Sequence, residues 1–467
     1  YTQRHGVTKL TPMKAEFTPE LITKYNVNGA RYTSYPTANI FQATNPNDYL
    51  DELDKVAAGT PLSLYVHVPF CATICYYCAC NKINTGNRKH AEAYIDRLIC
   101  EMQLQAAHLS GNHPVEQLHF GGGTPTFLDE TQFERVFTAL RENFQLLDAP
   151  HRDYSIEIDP RALPPARIEH LASLGFNRMS IGVQDFDPVV QEAVNRIQSE
   201  TETNGIVAAA RDNGFESINV DLIYGLPLQT EPGFRRTIER VLKLDPDRIS
   251  LYNYAHLPER FKTQRQIRSA DIPNAAIKLK LMGSAIQMFS QAGYELVGMD
   301  HFAKAADGLL QARQDGTLHR NFQGYTTHGN CELIAMGVSA ISKVGRAYAQ
   351  NAKTLEEYYA AIDAGHLAID RGYLLHEDDQ IIAAVIQQLM CNFDLDISMF
   401  NAEHEIDFWR YFEHAWPPLQ NMAAEGLIQL ESDRIKVTPA GRFLVRNICM
   451  IFDAYVTPQA SGFSKTL

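Results

Sequence analysis

Cys71, Cys75 and Cys78 stand at the spacing Cys-x3-Cys-x2-Cys, and a fourth thiol, Cys80, follows two residues later. Three thiolates fill three corners of a 4Fe-4S cube and leave one iron without a protein ligand, whereas a closed electron carrier uses four. An open iron can bind substrate or cofactor. The competing reading is a zinc knuckle, in which Cys80 supplies the fourth ligand that structural zinc requires. Further along, Gly121-Gly122-Gly123-Thr124-Pro125-Thr126 is a loop in which glycines let backbone approach a ligand closely and expose its amides. A methionyl amine and carboxylate could dock there, although the run lacks the Gly-Lys-Ser/Thr of a phosphate loop, only half matches a dinucleotide fingerprint and reads equally as a plain tight turn.

Such residues need a rigid frame. From about residue 60 short β-rich runs alternate with amphipathic helical stretches, and the sequence predicts strands over 62–68, 116–120, 154–159, 178–182, 217–222 and 248–252. Helices are expected between them, for example over 90–109 and 130–143, which makes the connections crossovers and the strands parallel. An incomplete, six-stranded (β/α) barrel follows. In such folds functional residues sit at the carboxyl ends of strands, and the cysteine loop directly follows the first one. The same rule selects Glu157, Gln184, Arg196 and Asp221 as rim groups.

Composition bounds the partners. The 467-residue chain has a net charge of -13, which repels polyanions, so nucleic acid is not expected. Cys100, Cys331, Cys391 and Cys449 are far apart and read as reduced thiols. No apolar run approaches the roughly 18 residues of a membrane span, and the polar start has no signal-peptide core. A cytoplasmic protein is expected. Met13 is the first methionine, and the first dozen residues are read as a processing remnant outside the fold.

The cysteine loop, with Tyr77 between its second and third thiols, resembles that of radical S-adenosylmethionine (SAM) enzymes. The chain from about Leu21 to Phe463 is similar to oxygen-independent coproporphyrinogen III oxidases. The resemblance rests on Arg31-Tyr-Thr-Ser-Tyr-Pro-Thr37, Tyr65-Val-His-Val-Pro-Phe-Cys71, Cys80, His119-Phe-Gly-Gly-Gly-Thr-Pro-Thr126, Gly298-Met-Asp-His-Phe302 and Asn321-Phe-Gln-Gly-Tyr-Thr-Thr327. It implies that Cys71, Cys75 and Cys78 ligate one 4Fe-4S cluster. It also implies that Tyr65, Gly122, Gly123, Thr124, Glu157, Gln184, Arg196, Asp221, Ala255 and Ile341 contact SAM, and that Tyr65, His67 and Cys80 serve catalysis. The family more often has glycine where this chain has Ala79. The implied reaction converts two propionates of coproporphyrinogen III to vinyl groups, with an external electron donor and acceptor and without molecular oxygen. A substrate with four propionates calls for cations, and Arg31, Lys82 and Arg320 are the candidates.

Three parts are expected: an arm (1–54) that shapes the substrate site, the catalytic barrel with its extension (55–360) and a mainly helical, winged-helix-like domain (361–467). In the last, 378–390 is the clearest helix, and 426–430 with 434–437 reads as a hairpin. Without a basic stripe this region reads as a lid or substrate wall rather than a DNA-binding unit. A monomer is expected. The alternatives are a haem chaperone of the sister family, which typically lacks the amino-terminal Arg-Tyr-Thr segment and the extra thiol, and another tetrapyrrole-acting radical SAM enzyme.

Overall fold

The computed structural model describes residues 18–456 and 463–466; the first dozen residues fall outside them. All six expected strands form, as β1 (Leu62–Val68), β2 (Pro114–Gly122), β3 (Asp153–Ile158), β4 (Arg178–Gln184), β5 (Ser217–Tyr224) and β6 (Arg248–Asn253). They lie side by side in that order, each parallel to the next. The crossovers are helical: α1 (Lys89–Ala106), α2 (Glu130–Asn143), α3 (Arg167–Leu174), α4 (Glu200–Asp212) and α5 (Glu231–Lys243). Local chemistry sets where several begin. Asp129 with Gln132 and Ser199 with Glu202 form capping boxes at α2 and α4, satisfying amides that have no partner inside the helix.

The sheet is larger than the six strands read from sequence. A seventh parallel strand, β7 (Glu332–Met336), pairs with β1, and antiparallel strands extend the sheet beyond both β7 and β6. Gln42–Ala43 of the amino-terminal arm forms one outer edge through Ile369–Leu374. The strand path has two ends, so the sheet is open. Beyond residue 375 come the helix Glu377–Asn392 and a three-stranded antiparallel sheet built on the expected hairpin, now Ile428–Leu430 with Arg434–Val437, plus Asp394–Asp396. The arm docks on this region, where the Tyr32 hydroxyl donates to Asp453 and the Ala454 amide donates to the Tyr35 hydroxyl.

Alternation along the strands divides labour between two faces. Leu62, Leu64, Val66 and Val68 of β1 are fully buried, as are Leu118 and Phe120 of β2 and Val220 and Leu222 of β5. This face packs on the crossover helices. Phe120 stacks on Phe137 of α2 with ring centroids 5.6 Å apart and meets Phe176 edge-on at 5.3 Å. The other face is polar and internally bonded. Ser63 donates to Gln117 at 2.8 Å and Gln117 to Thr326 at 3.0 Å; Ser180 and Asn219 donate to the Asp221 carboxylate at 2.7 and 2.9 Å. A slip of one residue would exchange the faces, so the apolar face fixes the register of the polar one. Phe120→Ala is expected to destabilise the protein by about 3–5 kcal/mol through the cavity it leaves, read as a lowered midpoint in urea unfolding.

Candidate active site at the carboxyl ends of the strands

The polypeptide leaves β1, turns at Pro69 and enters the cysteine loop, which has little regular structure of its own. It is held from outside. Cys71 pairs with Asn84, and the Thr85 amide donates to the Cys71 carbonyl at 2.9 Å, closing the loop at its base. The Tyr76 amide donates to Val194 O at 2.9 Å, and Asn195 Nδ2 to Ile74 O at 2.7 Å. Thr263 Oγ1 donates to Cys78 O at 3.3 Å, and Gln264 Nε2 to Tyr77 O at 3.0 Å. Lys82 turns back on the loop, its ammonium donating to Cys78 O at 3.2 Å. The loop is therefore fixed by the segments after β4 and β6.

The thiols sit in distinct surroundings. Thr124 Oγ1 donates to Cys71 Sγ at 3.5 Å, and burial pushes that thiol up to about 11. Arg161 and Arg196 donate to Cys75 Sγ at 3.4 and 3.5 Å, and both pair with Asp159, at 2.6 and 3.2 Å. Two cations thus converge on one sulfur. The neighbouring Cys80 thiol, with Lys82 close by, pulls Cys78 down to about 6, while the proximity of Cys78 pushes exposed Cys80 up. Among the described residues, the one set of three or more His, Cys, Asp or Glu ligand atoms lying within 4.8 Å of one another is Glu116, His328 and Cys331. The loop thiols are more spread than that. A tetrahedral zinc site, with thiolates about 2.3 Å from the metal, needs them to converge, so the zinc reading falls and the corners of a 4Fe-4S cluster fit better.

The glycine loop is joined to the cysteine loop through backbone. The Gly123 amide donates to Val68 O and the Thr124 amide to Phe70 O, both at 2.8 Å. A Cβ on Gly123 would stand 2.8 Å from the Phe70 and Pro69 carbonyl oxygens, and Gly122 has a φ of +115° with a Cβ position 2.6 Å from the His67 ring. No side chain fits at either residue without movement. Glu157 accepts from the Gly122 amide at 3.3 Å and lies 3.4 Å from His119 Nε2. His67 Nε2 faces the Asn81 carbonyl at 3.0 Å and its Nδ1 faces the Tyr65 hydroxyl at 3.1 Å. A carbonyl only accepts, so Nε2 carries the proton and Nδ1 accepts from Tyr65; burial pushes the ring pKa down and keeps it neutral.

Gln184 has a left-handed backbone, φ +67°, which turns it off the end of β4. Its Oε1 and the Nε of Arg196 are buried with no hydrogen-bond partner among the described residues, which leaves them open to a ligand at this rim. With the glycine cradle, these orphans fit SAM beside the thiols. Asp221 lies on the same polar face, its pKa raised by burial. Ala255 reaches the loop through Gln264 Nε2, which donates to its carbonyl at 3.0 Å. Ile341 lies on an antiparallel strand next to β7, paired with Gln350, and the Leu333–Lys343 register sets it level with Ala335, which pairs with Tyr65 of β1.

The three cations expected to hold substrate are differently disposed. Lys82 belongs to the cysteine loop. Arg31 donates to the Asn253 carbonyl at 2.7 Å at the end of β6. Arg320 is only 4% exposed; its guanidinium faces Asp300 at 3.3 and 3.4 Å and lies over the Tyr325 ring, so its charge is already paired. Sequence reading missed Asp159 and Arg161, although the rule that selected Glu157 covers the residues just after β3. Gln264 and Asn195 gave no signal, because they act on loop carbonyls from segments with no motif.

Residues 65–241 match the model of the radical SAM superfamily, and residues 375–444 match that of the HemN C-terminal domain. The chain is 52% identical over 439 residues to the oxygen-independent coproporphyrinogen III oxidase of Pseudomonas aeruginosa, covering 94% of this chain and 95% of that one. To the same enzyme of Escherichia coli K12 it is 47% identical over 454 residues, 96% and 98% of the two chains. The solved structure of coproporphyrinogen III oxidase (HemN) from Escherichia coli, described as a radical SAM enzyme, superposes with a TM-score of 0.88 at 45% identity, covering 92% of this chain and all of that one.

If Cys71, Cys75 and Cys78 are the ligands and Cys80 is not, anaerobic reconstitution separates the two roles. Alanine at any of the first three is expected to abolish cluster formation, and Cys80→Ser to retain it, measured as iron per chain and absorption. Equal loss in Cys80→Ser would indicate a four-thiolate site.

Proposed function

The chain belongs to the oxygen-independent coproporphyrinogen III oxidase family, and from that premise we propose that it converts two propionate side chains of coproporphyrinogen III to vinyl groups, giving protoporphyrinogen IX. It is a radical SAM oxidoreductase of haem biosynthesis. One observation carries the reading: three spread thiols, two arginines on one of them and a side-chain-free glycine cradle meet at the carboxyl ends of a parallel sheet.

A 4Fe-4S cluster and SAM held there would supply one-electron radical chemistry, by which a propionate would lose a β-hydrogen, CO2 and one electron to leave a vinyl group. In this reading Cys71, Cys75 and Cys78 are the ligands. Gly122, Gly123 and Thr124 offer backbone and hydroxyl groups to SAM, with Glu157, Gln184, Arg196 and Asp221 along the rim. Neutral His67, hydrogen-bonded to Tyr65 and to Asn81 of the loop, holds the return of the cysteine loop in place. The buried polar face restrains side reactions by excluding bulk water and by fixing the substrate, an effect worth several kcal/mol in general.

The reading also assigns the arm through residue 54 to the substrate site, residues 55–360 to the catalytic sheet and its extension, and 361–467 to a helical cover. Among the described residues no helix is long and apolar enough to cross a membrane. A cytoplasmic monomer that uses an external electron donor and acceptor completes it.

The test is anaerobic incubation with SAM, reductant and coproporphyrinogen III, followed by product mass. Each vinyl group is expected to accompany one CO2 and at least one 5'-deoxyadenosine, with a monovinyl species appearing early. A methylated product, or 5'-deoxyadenosine staying far below CO2, would overturn the reaction as proposed.

A further inference from the structure

At the carboxyl ends of β5 and β6 a cavity of about 40 Å³ is lined by Arg31, Tyr224, Asn253, Lys278, Asp300 and Arg446, among others. Its charges do not balance. Arg31 donates to the Asn253 carbonyl; Lys278 Nζ donates to Asn253 Oδ1 and to Tyr254 O, both at 3.2 Å. Arg446, only 5% exposed, donates to the carbonyls of Gly29, Ala30 and Lys465. Among the described residues no carboxylate forms an ion pair with any of the three. Asp300, the one acid lining the cavity, is taken by His301 at 2.7 Å and by Arg320.

We propose that Arg31, Lys278 and Arg446 form a carboxylate subsite that takes one propionate of the tetrapyrrole. The inference rests on the function proposed above and adds where the substrate is gripped. Cations withdrawn from water without a counter-charge are costly, and an arriving carboxylate removes that cost. Burial and then the neighbouring charge of Arg31 push Lys278 down to about 8 and Arg446 down to about 9, the direction that an absent anion produces. The cavity has room for a water-sized group or two, hence for a carboxylate and not for a ring.

Position ties the subsite to the chemistry. Asn253 and Tyr254 hold the two outer cations, and the next residue, Ala255, shares Gln264 Nε2 with Tyr77 of the cysteine loop. One backbone segment therefore spaces the cation cluster from the thiols. A macrocycle with a carboxylate on each side can anchor one propionate here while another faces the loop. Arg31 comes from the amino-terminal arm, which gives the arm a defined task.

The test titrates cluster-loaded protein with oxidised coproporphyrin III, an unreactive tetracarboxylate, by fluorescence, with its tetramethyl ester and inorganic phosphate as comparisons. Lys278→Met is expected to bind the tetracarboxylate at least about tenfold more weakly, the scale of one charge-assisted hydrogen bond, with no change for the ester or for SAM. Lys278→Arg is expected to restore binding. Equal binding of the tetracarboxylate by wild type and Lys278→Met overturns the subsite. So does phosphate that saturates the cations without displacing the porphyrin, which would mark a site for free phosphate. Because the readout is binding, a failed decarboxylation assay would count against the activity and not against this result.

Discussion

Two backbone hydrogen bonds, from the amides of Gly123 and Thr124 to the carbonyls of Val68 and Phe70, set the geometry on which the rest of the site depends. They lay the loop after β2 across the start of the loop after β1, with no side chain between. The thiols, of which only Cys71 lies in a strand, a two-residue pairing with Ile83–Asn84, thereby take their position from the sheet. Further ties to Val194, Asn195 and Gln264 draw the far side of the loop to the segments after β4 and β6. The loop is rigid because several strand ends share it.

That joint is possible because the sheet separates its two faces so sharply. One face is a continuous apolar layer under the helices; the other carries Tyr65, His67, His119, Glu157, Asp221 and Gln184 toward the same end. Buried polar groups are tolerable when satisfied, and along most of this face they satisfy one another. At the carboxyl end of β4, Gln184 Oε1 and the neighbouring Arg196 Nε are buried without a hydrogen-bond partner among the described residues. Beside the ends of β5 and β6, Arg31, Lys278 and Arg446 have no ion-pair partner among the described residues and donate to carbonyl and amide oxygens instead.

Much of this was legible in the sequence. Strict alternation and long crossovers made the six parallel strands visible, and the cysteine spacing marked the loop after the first. The extension was not. Its strands run three to six residues with mixed patterns, and β7 follows no helix pattern that would have marked it as parallel. The arm's edge strand is two residues long and exists only by pairing with Ile369–Leu374. In the site, Glu157 was found as a polar residue near the carboxyl end of its strand, while Asp159 was read as the last residue of that strand and Arg161, just beyond it, carried no signal. Arg320 shows the converse: its charge suggested a ligand, but folding brings Asp300, twenty residues away, to its guanidinium, a contact that no local pattern reveals, while Tyr325 faces it across a short hairpin.

The central claim is that the direct backbone contact between the two loops builds the cofactor site. The most direct measurement is SAM affinity of cluster-loaded Gly123→Ala, with iron content and urea midpoint as controls. A Cβ there stands 2.8 Å from two carbonyl oxygens and must push the loops apart. The account predicts at least about tenfold weaker SAM binding, the scale of one lost positioning contact, with the cluster retained. SAM binding equal to wild type, with iron content and stability unchanged, would contradict it.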